Sequence, residues 1–271
     1  MARRRVTPPV QTWMKQMLSE RVSPDTIAAE LLKRGYSLAS IREGLEAPAN
    51  WDALAALEID RDLDYGAIAD VALALDPAAK IATDKLQIYK IENYLGDADC
   101  DALMRLINSR LRPSAIDLDK YGTDIRTSRT CDLDLLNEPL VAEIDAKIAN
   151  TLRIPLAKSE LMQGQRYDVG QQFKEHADFF EPGTPVCAQF AGVLGNRTWT
   201  FMIYLNDVDK GGGTCFPAID MTFMPRIGSA LAWNNLNRDG TVNFNAIHAG
   251  RPVEAGHKVV ITKWFREKAA S

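Results

Sequence analysis

The sequence predicts an α+β chain: a double-stranded β-helix, jelly-roll or cupin-like, backed by helices and preceded by a small all-helical module. Three observations carry that expectation. From about Leu161 onward, short apolar runs are separated by Gly, Pro and Asn turns, as strands of a closed antiparallel architecture are. Amphipathic segments with helical spacing stand in front of those strands. Before Pro77 the chain reads helical in short pieces, with no internal repeat.

Taken in order, Val10, Trp13, Met14 and Met17 mark a first helix over Val10–Leu18. Ser23-Pro24-Asp25 starts a second, with Ser23 as cap and Pro24 at the first helical position, and Gly35 is placed to stop it. A third runs from Ser37 through Ile41–Leu45 before Pro48, and further helices are expected over Trp51–Leu57 and Tyr65–Leu75. Arg3, Arg4, Arg5, Lys15, Arg21 and Lys33 form no concentrated basic face. This favours a packed or tethered module of residues 1–80, Trp13 and Trp51 included, over a helix-turn-helix or a peptide-docking bundle. Asp76–Lys80 reads as the boundary, leaving a second domain over 81–271.

In that domain Leu86–Ile91 alternates as a strand, and Asp97–Leu111 is an amphipathic helix ended by Pro113. Tyr121–Leu136 reads as a loop or edge strand, and Glu138–Leu152 as another helix. Trp199–Leu205 has the apolar run of a buried central strand, with Gly228–Trp233 and the long Lys258–Arg266 as further strands. Trp199, Trp233 and Trp264 read as core aromatics. The Gly211–Gly213 run is followed by no helix with Lys-Ser/Thr, so it is a turn and not a phosphate loop.

Composition narrows the partners. At 46% hydrophobic and 25% charged the chain is ordinary for a globular protein with a sizeable core, and its net charge of −4 weighs against gripping a nucleic-acid backbone. No apolar run is long enough to cross a bilayer, and the basic start Met1–Val6 lacks the apolar core of a secretory signal. Cys100, Cys131, Cys187 and Cys215 lie far apart with no Cys-x-x-Cys pair, the usage expected of reduced thiols in the cytoplasm. No oligomeric state follows from the sequence.

The chemistry centres on Arg166–Phe180. His176 and Asp178 are separated by one residue, so on a strand their side chains share a face. A third ligand must come from elsewhere, and the other two histidines, His248 and His257, lie near the C-terminus. His257, in a turn beside Lys258, reads as solvated. Two His and one carboxylate on one side of a metal suit non-haem Fe(II) and leave positions for a co-substrate and O2. By alternation Lys258, Val260, Thr262, Trp264 and Arg266 share one face of the last strand. A Lys turned into a barrel is costly unless it meets an anion, as an anchor for a dicarboxylate would.

From about Leu86 to Glu267 the chain resembles the 2-oxoglutarate- and Fe(II)-dependent oxygenases of the prolyl 4-hydroxylase type. The matching stretches are Arg166-Tyr167, Gly170-Gln171-Gln172, His176-Ala-Asp178, Arg197-Thr-Trp-Thr with Tyr204–Val208, Gly211–Pro217, Pro225–Gly228, His248 with Pro252-Val253, and Gly256-His-Lys258 with Lys263-Trp264. The resemblance implies His176, Asp178 and His248 as the iron ligands and catalytic set. Lys258 would form the salt bridge to the far carboxylate of 2-oxoglutarate, Tyr167 would hydrogen-bond that co-substrate, and Thr262 would assist at the same carboxylate. It further implies oxidative decarboxylation of 2-oxoglutarate by O2 coupled to hydroxylation of a C–H bond, with ascorbate as a reductant. Related halogenases lack the carboxylate that Asp178 supplies here, so hydroxylation is the expected outcome.

Two positions depart from the family pattern, Phe173 where many prolyl hydroxylases carry Tyr and Arg266 where many carry His. Both belong to the substrate side by that resemblance; Arg126 and Arg197 match family positions lining that side or are equally structural, and Trp264 is a further substrate candidate. Arg266 adds a cation able to clamp a carboxylate. By the resemblance the leading substrate is a prolyl residue in a peptide or protein, and Arg266 favours the alternative, a free amino acid or small metabolite. A nucleic-acid demethylase would favour a basic groove and an Arg anchor, and a non-catalytic binding module would not need all three ligands with Lys258.

Overall fold

The computed structural model describes residues 5–34, 36–51, 63–70, 77–114, 125–191 and 194–269. The Gly35 stop, the expected helix over 52–57, the end of the Tyr65–Leu75 helix over 71–75, Asp76 of the boundary, and 121–124 fall outside those residues.

The N-terminal helices α1 (Pro8–Ser19), α2 (Pro24–Lys33) and α3 (Leu38–Gly44) enclose their own core of Met14, Ile27, Leu31, Leu38 and Ile41. Ser23 caps as its position predicts and Ser37 caps α3, their hydroxyls accepting from the backbone N–H of Thr26 and Ser40. Helix α4 (Tyr65–Asp70) is tied to the strands instead. The carbonyl of Ile68 accepts from the Trp199 indole at 2.9 Å, and that of Ala69 from the Gln87 amide at 2.7 Å.

The barrel is two antiparallel sheets. The larger has the order β1 (Ile88–Ile91), β10 (Ala230–Asn234), β6 (Arg197–Tyr204), β13 (Lys258–Arg266), β4 (Gln163–Tyr167), β3 (Arg129–Asp132), β2 (Arg112–Pro113). The smaller runs β5 (Phe173–His176), β11 (His248–Gly250), β8 (Thr214–Phe216), β9 (Met221–Phe223), and β7 (Lys210–Gly211) pairs with β12 (Val253–Ala255). The stretch expected as a loop or edge strand thus contains β3, which lies one strand in from the edge because Arg112–Pro113 pairs outside it.

Alternation explains the two faces of the larger sheet. Trp199, Phe201 and Ile203 of β6, with Val259, Ile261 and Phe265 of β13, pack on α5 (Asp97–Ser109) and α6 (Pro139–Leu152) through Leu103, Ile107, Ile144 and Ile148. Met202, Tyr204 and Val260 turn the other way and join Phe216 and Trp233 inside the barrel. Gly164 of β4 lets α5 approach, since a Cβ there would lie 2.4 Å from the Ile107 side chain. Gly164→Ala is therefore expected to cost about 1–3 kcal/mol through overpacking, read as a lower urea midpoint with unchanged slope.

Strict alternation fails at the start of β6, opposite the end of β13. The β13–β6 register shifts between Phe265 and Arg266, so that Arg266 pairs with Arg197 and Thr198 is the extra residue. A bulge re-aims the side chains beyond it. Arg197, which alternation would send to the helix side with Trp199, instead lays its guanidinium 4.2 Å from the Trp264 ring centre, on the barrel side. A short helix that the sequence reading missed, α7 (Pro185–Phe190), follows Asp178; Thr184 caps it, and it packs against α3.

Candidate metal centre

His176 closes β5 and His248 opens β11, and the two are direct partners in the β5–β11 ladder. Cross-strand pairing therefore sets their rings side by side, with centroids 4.3 Å apart. Asp178, two residues past the end of β5, turns back toward both. Its Oδ1 is 4.0 Å from His176 Nε2 and its Oδ2 3.8 Å from His248 Nε2. These separations are too long for hydrogen bonds. One donor atom from each of the three residues lies within 4.8 Å of the others, as ligands around a shared ion do.

The imidazoles are held in one tautomer. His176 Nδ1 lies 2.8 Å from the Lys174 carbonyl and His248 Nδ1 3.0 Å from the Ala246 carbonyl. A carbonyl only accepts, so each Nδ1 carries a proton and each Nε2 is the ring nitrogen turned toward Asp178. Burial drives the His176 pKa down to about 3, with the neighbouring His248 as the next cause. For Asp178, burial acts upward but is outweighed by His248, His176, Arg197 and the Thr200 hydroxyl, which hold it below the usual carboxylate range. Two imidazoles and one carboxylate are the donor set that fits a divalent, imidazole-tolerant metal. The surround is aromatic: Phe216 stacks on His248 at 5.3 Å, Trp233 meets it edge-on at 4.9 Å, and Phe173 lies flat on His176 at 3.4 Å.

The expected co-substrate residues gather on the inner face beside this centre. Lys258 pairs across the ladder with Tyr167, is 3% exposed, and has one hydroxyl partner, Thr214 Oγ1 at 3.3 Å. Its ammonium lies 5.5 Å from the ring centres of both Tyr167 and Tyr204, and no described carboxylate pairs with it. Burial pushes its pKa down to about 7. Tyr167 donates to Gln165 Oε1 at 2.9 Å, and Gln165 donates from Nε2 to Thr262 Oγ1 at 3.2 Å. The two hydroxyls assigned by resemblance are thus joined through Gln165, which that reading did not single out although alternation places it between them.

On the substrate side the outcome is mixed. Phe173 borders the centre through its stack on His176, and Arg126 lies 5.0 Å from the Phe173 ring centre while donating to Ser128 and Thr130. Trp264 lies under Arg197. Arg266 corrects the expectation of a carboxylate clamp at the pocket mouth. It is 5% exposed and already donates to Glu160 Oε1 at 3.0 Å and to the Phe190 and Gly195 carbonyls. Arg197 is equally committed, to both oxygens of Glu160 at 2.6 Å and to the Asp178 carbonyl at 3.3 Å. Residues 160 and 266 meet because Ser159 pairs with Phe265 and the Glu160 N–H donates to the Trp264 carbonyl at 2.9 Å, while the bulge turns Arg197 to the same side, a tertiary arrangement with no signal in the sequence.

Glu160 thus pairs with two largely buried cations. Burial acts to raise its pKa but is outweighed by Arg197 and Arg266, so it sits below its usual 4.5. A carboxylate lowered in the fold contributes stability above its unfolded pKa and loses it as pH falls through the folded value. Glu160→Gln is expected to cost about 3–5 kcal/mol by leaving the guanidiniums unpaired. In acid unfolding its deficit should shrink below about pH 4, where the wild-type carboxylate also protonates.

Among known proteins, the profile of the 2OG-Fe(II) oxygenase superfamily matches residues 162–266. The chain is 31% identical over 189 residues to mouse prolyl 4-hydroxylase subunit alpha-1, covering 68% of this chain and 35% of that protein. It therefore spans about a third of the length of the vertebrate relatives it matches. The putative prolyl 4-hydroxylase of Acanthamoeba polyphaga mimivirus is 31% identical over 186 residues, covering 68% of this chain and 75% of that protein. The crystal structure of the viral collagen prolyl hydroxylase vCPH from Paramecium bursaria Chlorella virus-1, a 2OG complex, shares the fold with a TM-score of 0.53 at 22% identity, covering 66% of this chain and 95% of that one. With the barrel, the His176–Asp178–His248 cluster and these relatives in hand, the chain belongs to the 2OG-Fe(II) oxygenase superfamily and is of the prolyl 4-hydroxylase type.

Proposed function

We propose that this protein is an Fe(II)- and 2-oxoglutarate-dependent dioxygenase that hydroxylates a prolyl residue in a peptide or protein. The observation that carries this reading is the convergence of His176, Asp178 and His248 next to a buried Lys258 that no described carboxylate neutralises. The relatives whose names specify prolyl 4-hydroxylases support the substrate class.

In this reading His176 Nε2, Asp178 and His248 Nε2 hold the iron, which when bound supplies the O2 chemistry that the side chains lack. Ascorbate serves as its reductant. The Lys174 and Ala246 carbonyls keep both imidazoles oriented. Lys258 binds the far carboxylate of 2-oxoglutarate and takes up a proton as it does so, and Tyr167 and Thr262 supply hydroxyls beside it. Phe173, Phe216 and Trp233 exclude water from the imidazole faces.

The free amino acid was favoured by Arg266 as a carboxylate clamp, and its donors are engaged by Glu160 and by the Phe190 and Gly195 carbonyls, so no second reading is kept. The residue 1–80 module would help present the peptide: α3 packs on α7, in the segment between Asp178 and β6. Among the described residues no helix is long and apolar enough to cross a membrane. Cys100, Cys131 and Cys215 are buried free thiols, which suits the cytoplasmic setting we propose.

The test is succinate formation with Fe(II), 2-oxoglutarate and ascorbate across a panel of proline peptides and free amino acids, with products weighed by mass spectrometry. A prolyl peptide gaining one oxygen is the expected result. Oxygen added only to a free amino acid would overturn the substrate class, and no consumption of 2-oxoglutarate under any condition would overturn the activity.

A further inference from the structure

Asp178 ends a relay of side chains from the larger sheet. Thr200 Oγ1 lies 2.8 Å from Asp178 Oδ2, and Asn235 Nδ2 lies 2.9 Å from Thr200 Oγ1. Thr200 and Asn235 are both 0% exposed. Their spacing is set by the ladder that pairs Asn234 with Trp199 and Trp233 with Thr200. The direction of each bond follows from chemistry. An ionised carboxylate only accepts, so the Thr200 hydroxyl donates to it, and the Thr200 oxygen then accepts from the Asn235 amide. That choice leaves Asn235 Oδ1 buried without a partner, a cost the fold carries at this position.

We propose that Thr200, steered by Asn235, is a positioning residue that makes Asp178 a one-oxygen ligand. The hydroxyl occupies Oδ2 and fixes the carboxyl plane, so that Oδ1, which carries no hydrogen bond from a described residue, is the oxygen delivered to the ion. Arg197 completes the fixation by bonding the Asp178 carbonyl at 3.3 Å. A hydroxyl at position 200 thereby sets metal affinity from outside the ligand set, as partners of ligating groups commonly do. The inference rests on the reading of His176, Asp178 and His248 as metal ligands, and the experiment separates the two.

The measurement is Co(II) affinity of the metal-free chain, followed by visible absorbance without 2-oxoglutarate, for wild type, Thr200→Val, Thr200→Ser, Asn235→Ala and the Thr200→Val/Asn235→Ala double variant. Thr200→Val, which keeps shape and removes the donor, is expected to weaken Co(II) binding by about 10–100-fold. Thr200→Ser should bind like wild type. Asn235→Ala should weaken binding alone but add nothing to Thr200→Val, because it acts only through the hydroxyl. Thr200→Val binding as tightly as wild type would overturn the inference, as would Thr200→Ser failing as badly as Thr200→Val. A wild-type chain that takes up no Co(II) would overturn the ligand assignment itself.

Discussion

His248→Ala is expected to lower Fe(II) affinity by more than about 100-fold, beyond the 10–100-fold loss typical when a partner outside the ligand set is removed. Turnover of 2-oxoglutarate should fall with it. The reason lies in the ladder: His248 is the cross-strand partner of His176, so removing it deletes one of three donors and leaves the ion two. The surrounding barrel has independent support, since Phe216 and Trp233 also pack on each other at 5.3 Å. The metal-free variant should therefore still unfold cooperatively, which thermal melting checks. A folded His248→Ala protein that binds Fe(II) as wild type does would remove His248 from the centre.

Lys258→Ala should weaken 2-oxoglutarate binding by about 2–5 kcal/mol, the usual cost of truncating one partner of a buried charge pair. That corresponds to roughly 30-fold to several thousandfold in Kd. Metal binding should survive, because Lys258 is not among the clustered donors. The pH dependence has a definite sign. With a folded pKa of about 7, the ligand-free ammonium loses its proton as pH rises through that value, yet binding a dicarboxylate favours the charged form. Affinity should thus fall with pH above about 7, by at most about tenfold per unit, and the variant should lose this dependence. Titration calorimetry with the metal-loaded protein across that range measures both. The same shift bears on stability. A lysine whose pKa is lowered by folding binds more protons when unfolded, so its contribution to stability rises between about pH 7 and its unfolded value of 10.5. Removing it should not destabilise the ligand-free chain at neutral pH beyond the loss of its aliphatic stem.

The metal cluster and its lysine were legible because they depend on period-two alternation and on residue types that have few bland uses. His176 and Asp178 share a face through a single intervening residue, and the surrounding matches singled out His248 over His257. Helix starts at Ser23 and Ser37 were legible for a similar reason: a cap is a local hydrogen bond between residues three apart. The short helix after Asp178 was missed because six residues carry too little periodic signal.

What the chain's order of residues determined by itself is the barrel with its helical backing and the chemistry of its centre, since both follow from patterns within one strand or one turn. Only the tertiary structure decided that Arg266 is closed off by Glu160, that Arg197 faces Asp178, and that Thr200 and Asn235 stand behind the carboxylate. Those facts depend on the Thr198 bulge and on registers between strands tens of residues apart. A register shift of one residue reverses which way a side chain points, and no local periodicity encodes it.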